Sequence, residues 1–224
     1  MIKLQNITKV FGSGDNETHA LRGVSLDIKE GEFVAIMGPS GSGKSTMLHI
    51  LGLLDAPTAG TFHLLDDLVS ELDEDGKAGA RNENLGFVFQ AFNLLPRTSV
   101  LDNVKLPLMY SAVPAKEWDM QAKKVIEQVG LMHRLDHEPS QLSGGEKQRV
   151  AIARALVRHP KVIFADEPTG NLDSVTSAQI MEIFRTLHED HGHTIVLITH
   201  EDDIAEHAQR TIRMRDGLIE SQGL

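Results

Sequence analysis

Cysteine is absent from the 224 residues. Without it there is no disulfide framework, no thiolate metal site and no cysteine nucleophile. No apolar run approaches the roughly eighteen residues of a membrane span. The opening Met1-Ile-Lys-Leu has no signal-like pattern, so the chain is expected to stay in the cytosol, with any membrane role borrowed from another chain. Positive charge is also short: 22 Lys and Arg against 32 Asp and Glu give a formal charge of −10. That balance argues against charge-driven binding to duplex DNA or anionic membranes, and no nucleic acid partner is expected. Apolar residues at 41% and charged residues at 24% are ordinary for a globular chain. The length suits one α/β domain, or one with a helical insert.

The chain is organised around residues 33 to 46. There the apolar run Phe33 to Met37 turns into Gly38-Pro39-Ser40-Gly41-Ser42-Gly43-Lys44-Ser45. The octet fits G-x-x-x-x-G-K-[ST], and its context is the one a P-loop requires, a strand before it and a helix opening at Thr46 after it. Glycines allow backbone angles that side chains forbid, so successive N–H groups can converge on phosphate oxygens at the positive end of the helix. In that pattern Lys44 neutralises the β- and γ-phosphates and the Ser45 hydroxyl holds Mg²⁺. The bland alternative is a Gly/Ser-rich turn.

Around the loop, alternation predicts an antiparallel β start over Ile2 to Val10 and Ala20 to Ile28. The helix after the loop is expected to reach about Leu54, and a further strand to cover Thr61 to Leu65. Residues 70 to 82 are acidic and hold two glycines, so any helix there is expected to be weak. Leu85 to Phe89 reads as a strand followed by a loop from Gln90 to Pro96. Helical periodicity then runs from Ser99 to about Leu135, broken at Pro107 and Pro114. Leu142 to Glu146 opens a helix that continues to Arg158 and ends before Pro160. Val162 to Ala165 and Thr194 to Ile198 read as buried strands, Val175 to His188 as an amphipathic helix, and Thr211 to Met214 with Leu218 to Glu220 as a closing hairpin. Strands alternating with helices imply a parallel sheet with ligand at its carboxyl edge.

Asp166 ends an apolar strand, where a Mg²⁺-orienting Walker-B carboxylate belongs in a P-loop protein, and Glu167 follows it. In the functional reading Asp166 holds Mg²⁺ through water and Glu167 accepts a proton from the water that attacks the γ-phosphate. A surface turn is the alternative. Gln90 ends a third strand, where its amide could reach Mg²⁺ or the attacking water, although an ordinary loop glutamine fits as well. His200 ends a fourth and could hydrogen-bond the γ-phosphate. Their shared position at strand ends is what gives them weight. His133 and His137 read as a solvated helix end, and His188, His191 and His193 as loop residues.

The P-loop, Gln90, Leu142-Ser-Gly-Gly-Glu146, Val162-Ile-Phe-Ala-Asp-Glu167, Gly170-Asn-Leu-Asp173 and His200 together resemble the nucleotide-binding subunit of an ABC transporter, over essentially the whole chain. The resemblance implies an α/β P-loop NTPase of ABC type. Its mixed parallel sheet core and N-terminal antiparallel β subdomain would take about residues 1–98 and 160–224, with an inserted α-helical subdomain at about 99–159. It implies that Ser143, Gly144, Gly145 and Glu146 bind the γ-phosphate of ATP held by the other protomer of a head-to-tail homodimer, by the helix-end physics of the P-loop. It further implies that Asp173 couples the two sites and that Phe11 stacks on adenine, unless Phe11 is core. ATP and Mg²⁺ are the expected ligands. An integral membrane permease on a separate chain, docked on the cytoplasmic face against Gln90 and the helices from Ser99 to Leu135, is the expected partner. Met37 to Lys44, Gly86 to Pro96, Asn103 to Pro107 and Ala165 to Asp173 are similar to the group of lipoprotein-releasing ATPases and macrolide and antimicrobial-peptide exporters. The competing class, soluble ABC-type ATPases acting on nucleic acid or ribosomes, usually has a long coiled-coil insertion or a tandem second ATPase domain, and this sequence has neither.

Overall fold

A computed structural model describes residues 1–65 and 67–223. Its elements run β1 (Ile2–Phe11), β2 (Thr18–Ile28), β3 (Phe33–Met37), α1 (Lys44–Leu51), β4 (Ala59–Leu64), β5 (Asp67–Leu68), α2 (Glu74–Asn84), β6 (Leu85–Phe89), α3 (Val100–Lys105), α4 (Ala115–Gln128), α5 (Gly144–Leu156), β7 (Val162–Asp166), α6 (Ser174–Glu189), β8 (Thr194–Ile198), α7 (Asp202–Ala205), β9 (Arg210–Arg215) and β10 (Leu218–Gly223). Short 3-10 turns join several of them. The chain divides into two compact units, Met1–Arg81 with Thr194–Leu224, and Asn82–His193.

In the first unit, β2, β1, β4 and β5 pair antiparallel in that order. Ile2, Leu4 and Ile7 of β1 face inward opposite Ile28, Leu26 and Val24 of β2. The step from Leu4 to Ile7 is not a multiple of two. A bulge at Asn6, with φ 51, shifts the register and returns Ile7 to the buried face. The same unit holds β3 between β8 and β9, all parallel, with β10 antiparallel to β9. Every residue of β3 and β8 is buried. A parallel strand covered on both faces needs a continuous apolar run, which is what Phe33 to Met37 and Ile195 to Ile198 supply.

In the second unit, β6 and β7 pair in parallel from Leu85 opposite Val162 to Phe89 opposite Asp166. Val104 of α3, Ile126 of α4 and Val150 of α5 are fully buried, the inward stripe of an amphipathic helix in each case.

Several boundaries differ from the sequence expectation, each for a local reason. α1 stops at Leu51 because Gly52 caps it and Leu53 enters the left-handed region at φ 55. The acidic stretch folds into the 11-residue α2, although none of its residues is buried. Asp73 caps it by accepting the Gly76 N–H at 2.8 Å, and Arg81 ties it to the Leu53 carbonyl at 2.6 Å. Pro107 sits in a 3-10 turn, Leu106–Tyr110, so the run from Ser99 divides into α3 and α4. His188 lies in the last turn of α6 rather than in a loop.

Candidate functional site

The P-loop is built where β3 delivers its buried run to Gly38 and α1 begins at Lys44. Gly43 is the N-cap of α1 with φ 100, and a Cβ there would lie 2.7 Å from the Ala20 carbonyl oxygen. At Gly38 a Cβ would collide with the Met214 carbonyl oxygen. Side chains are excluded at both places, which leaves backbone as the lining at the positive end of α1. Lys44 is buried and folded under the loop, its Nζ donating to the Gly38 and Pro39 carbonyls at 2.6 and 2.9 Å. The Gly217 N–H braces the loop from outside through the Ser42 carbonyl at 3.0 Å. Pro39, Ser40, Gly41 and Ser45 are exposed and Thr46 is half-buried, so the Ser45 hydroxyl is open to solvent. This glycine-walled, lysine-centred cradle fits a polyphosphate with its magnesium ion.

Ile36 pairs with Ile198, so Gly38 and His200 stand at the same carboxyl edge of neighbouring strands. The turn after β8 is fixed by the Thr199 N–H on the Ile36 carbonyl and by the Thr199 hydroxyl, which accepts the Glu201 N–H; His200 is left exposed. Phe11 is 46% exposed, which removes the core reading. It lies opposite Thr18 on β2, the strand that also backs Gly43 through Ala20, and the Lys9 ammonium stands 5.0 Å from its ring centre. A cation at that distance attracts the ring face by about 0.5–1 kcal/mol at an exposed site.

The second unit gathers the remaining residues. Phe89 pairs with Asp166, so Gln90 and Glu167 leave β6 and β7 side by side. Asn171 Nδ2 donates to the Gln90 carbonyl at 3.0 Å, and the Gly170 N–H donates to the Glu167 carbonyl at 3.1 Å. Asp173 caps α6 by accepting the Thr176 N–H at 3.0 Å and its hydroxyl at 2.7 Å, bonds that lower its carboxyl below the ordinary range.

Ser143 caps α5. Its hydroxyl accepts the Glu146 N–H, and Glu146 in return accepts the Ser143 N–H at 2.8 Å, a complete capping box. That N–H bond, helped by the Ser143 hydroxyl and Arg134, holds the Glu146 carboxyl at about 2. Gly144 and Gly145 lie against the side chains of Leu172 and Thr176. The Ser143-Gly144-Gly145 turn, the Asp173 cap and the Glu167 turn therefore share one unit.

Residues with no motif around them also shape the site. Gln148, fully buried on α5, donates from Nε2 to the Pro168 carbonyl at 2.8 Å. Arg154 donates to the Phe92 and Asn93 carbonyls at 2.9 and 2.6 Å, and burial pulls its guanidinium below its ordinary value. Asn103, also fully buried, accepts the Leu95 N–H and donates to the Leu95, Thr98 and Ser99 carbonyls. Arg154 and Asn103 fix the loop that follows Gln90, and Gln148 holds the turn after β7. A sequence signal existed only in outline, as amides placed within otherwise apolar helical stripes.

A family model for the ABC transporter matches residues 21–170. The chain belongs to the ABC transporter family. It is 57% identical to the macrolide export ATP-binding/permease protein MacB of Chlorobium luteolum over 99% of its own length, and spans about a third (33%) of that relative. It is 51% identical to an ABC transporter ATP-binding protein of Thermotoga maritima, covering 98% of this chain and 94% of that one. Among solved structures, the dimeric ATP-binding cassette MJ0796, in a post-hydrolysis state bound to ADP and Pi, superposes with a TM-score of 0.91 at 45% identity, over 100% of this chain and 98% of that chain. The fold is thus that of an ABC ATP-binding cassette.

Proposed function

We propose that the chain is the ATP-hydrolysing module of an ABC transporter. Two copies close head-to-tail around two ATP molecules and drive a membrane permease in lipoprotein release or in macrolide or peptide export. The observation that carries this reading is the full-length likeness to a dimeric cassette bound to ADP and Pi, in a chain that has Lys44 at the start of α1 and Asp166, Glu167 and His200 at or just after the ends of β7 and β8. The permease is a separate chain docked from the membrane side, and the module works on the cytoplasmic face.

The P-loop N–H groups from Gly38 to Thr46 receive the phosphates, and Lys44 exchanges its loop carbonyls for phosphate oxygens. Ser45, Gln90 and Asp166 are the oxygen donors that suit Mg²⁺, which when bound neutralises phosphate charge. Glu167 takes the proton of the attacking water, and His200 donates to the γ-phosphate. The Ser143 hydroxyl and the N–H groups of Gly144 and Gly145 stabilise the γ-phosphate held by the partner copy, and Asp173 transmits closure between the two sites. Phe11 stacks on the base.

Glu167→Gln removes the proton acceptor while keeping shape, so it is expected to lower ATP turnover by about a hundredfold or more and to trap the ATP-bound dimer. Gel filtration with light scattering should read twice the monomer mass with ATP and the monomer mass without it. A monomer under both conditions, with the wild type turning over normally, would sink the sandwich mechanism.

A further inference from the structure

Glu167 is held in an unfavourable backbone conformation. Its φ of 44 lies in the left-handed region that few residues other than glycine adopt, and it directly precedes Pro168, whose ring crowds the preceding residue toward extended geometry. Conformations of this kind persist only where the surroundings over-determine them, and they cluster at functional sites. Three restraints meet on this turn: the pairing of Asp166 with Phe89, the Gly170 N–H on the Glu167 carbonyl, and the Gln148 amide on the Pro168 carbonyl at 2.8 Å. The first two are made by backbone alone, one across the strand pair and one within the turn. The third comes from a side chain of α5, 20 residues away in sequence.

Gln148 is fully buried, and among the described residues its Oε1 finds no hydrogen-bond partner. An apolar side chain of the same length would remove that orphaned acceptor but would leave the carbonyl of buried Pro168 without this donor, so what the amide contributes is its hold on that carbonyl. A proline carbonyl can only accept, which makes the amide donor the part of Gln148 that the turn uses. Gln148 also stands five positions after Ser143, on the helix whose Gly144 and Gly145 lie against Leu172 and Thr176.

We propose that Gln148 is a positioning residue for hydrolysis, pinning through the Pro168 carbonyl the turn that aims the Glu167 carboxylate. The assignment rests on the ATPase reading above. The helix capped by Ser143 then also holds the general base of its own protomer. Loss of the amide therefore slows the chemical step while leaving nucleotide binding in place.

The test uses the whole purified chain. Wild-type turnover is measured first, and its absence would overturn the ATPase reading itself, separately from anything Gln148 does. Gln148→Met keeps length and removes both the donor and the orphaned oxygen. It is expected to lower kcat by about tenfold or more, with KM for ATP within about twofold of wild type, ATP-driven dimerisation retained in the E167Q background, and Tm lowered only by the several degrees that one orphaned carbonyl costs. A kcat within about twofold of wild type overturns the proposal. So does a loss shared by KM and dimerisation together with a Tm that falls further, because that is the mark of a merely structural residue. Gln148→Glu supplies a second reading should Q148M not fold. A buried carboxyl donates to Pro168 only when protonated, so its kcat relative to wild type is expected to rise as pH is lowered. A pH-independent ratio would overturn the role of the donor.

Discussion

At Gly145 a Cβ would stand 2.5 Å from Thr176 Cγ2. Thr176 cannot turn aside freely, because its hydroxyl donates to Asp173 Oδ2 at 2.7 Å and its N–H to Oδ1 at 3.0 Å. Gly145→Ala is therefore expected to destabilise by about 1–3 kcal/mol, the usual cost of overpacking a site that cannot give. Thr176→Ser deletes the colliding methyl and keeps the hydroxyl, so the double variant G145A/T176S should recover most of the lost stability in urea unfolding. Equal instability of the single and double variants would mean that the glycine serves something other than this contact. At this scale the legible residues were those whose chemistry is written locally: Lys44 and Ser45 in the octet, Asp166 and Glu167 after an apolar strand, and His200 at a strand end. Gln148 and Asn103 were not, because the carbonyls they hold are chosen by tertiary packing. The exposure of Phe11 depends on which strand lies beside it, and no periodicity of its own strand reports that.

Among the elements, α5 reaches furthest. From one rigid cylinder it presents Ser143 at its N-terminus, Gln148 to the turn after β7 and Arg154 to the loop after Gln90. That loop needs the hold, since Phe92, Asn93 and Arg97 all have positive φ, and Arg154 takes the first two carbonyls in one bidentate grip. Arg154→Lys cannot reproduce a planar fork. In the native protein the variant should be cut by trypsin after the exposed Arg97 about tenfold faster or more, at nearly unchanged Tm, because charge-assisted bonds of roughly 1.5–3 kcal/mol each would be lost from a local opening and not from the core. An unchanged cleavage rate at Arg97 would mean that Asn103 alone sets the loop. The α5 helix was readable from its serine cap and apolar stripe; α2 was not. Two glycines and no apolar face hide α2 from propensity and periodicity, and its stability comes from the Asp73 cap and the Arg81 tether.

For the whole molecule, the bearing fact is a mismatch between proposed task and available surface. No helix among the described residues is long and apolar enough to cross a membrane, and the net charge of −10 gives no attraction to anionic lipid. Under the proposed function, coupling to transport would run through contact with a membrane-spanning partner. Large apolar side chains stand exposed in the second unit at Leu95, Met109, Tyr110 and Met120, with Tyr110 at 81%. Singly they would need no explanation, but Leu95 lies in the loop clamped by Arg154 and Asn103, and Tyr110 hands its carbonyl to Asn82 Nδ2 at 2.7 Å, so the backbone behind them is fixed. Fixed backbone carrying exposed apolar side chains suits a protein partner with an apolar docking element. The double variant Met109→Ser with Tyr110→Ser removes no buried group and should keep its Tm within about two degrees. From detergent-solubilised cells of its source, tagged wild-type chain is expected to bring down a polytopic membrane protein, and the double variant to lose most of it. Equal recovery by both would move docking to another surface. Ribosomal proteins or nucleic-acid factors on the wild-type chain, with no membrane subunit, would assign the same ATPase chemistry to a soluble task and end the transport reading.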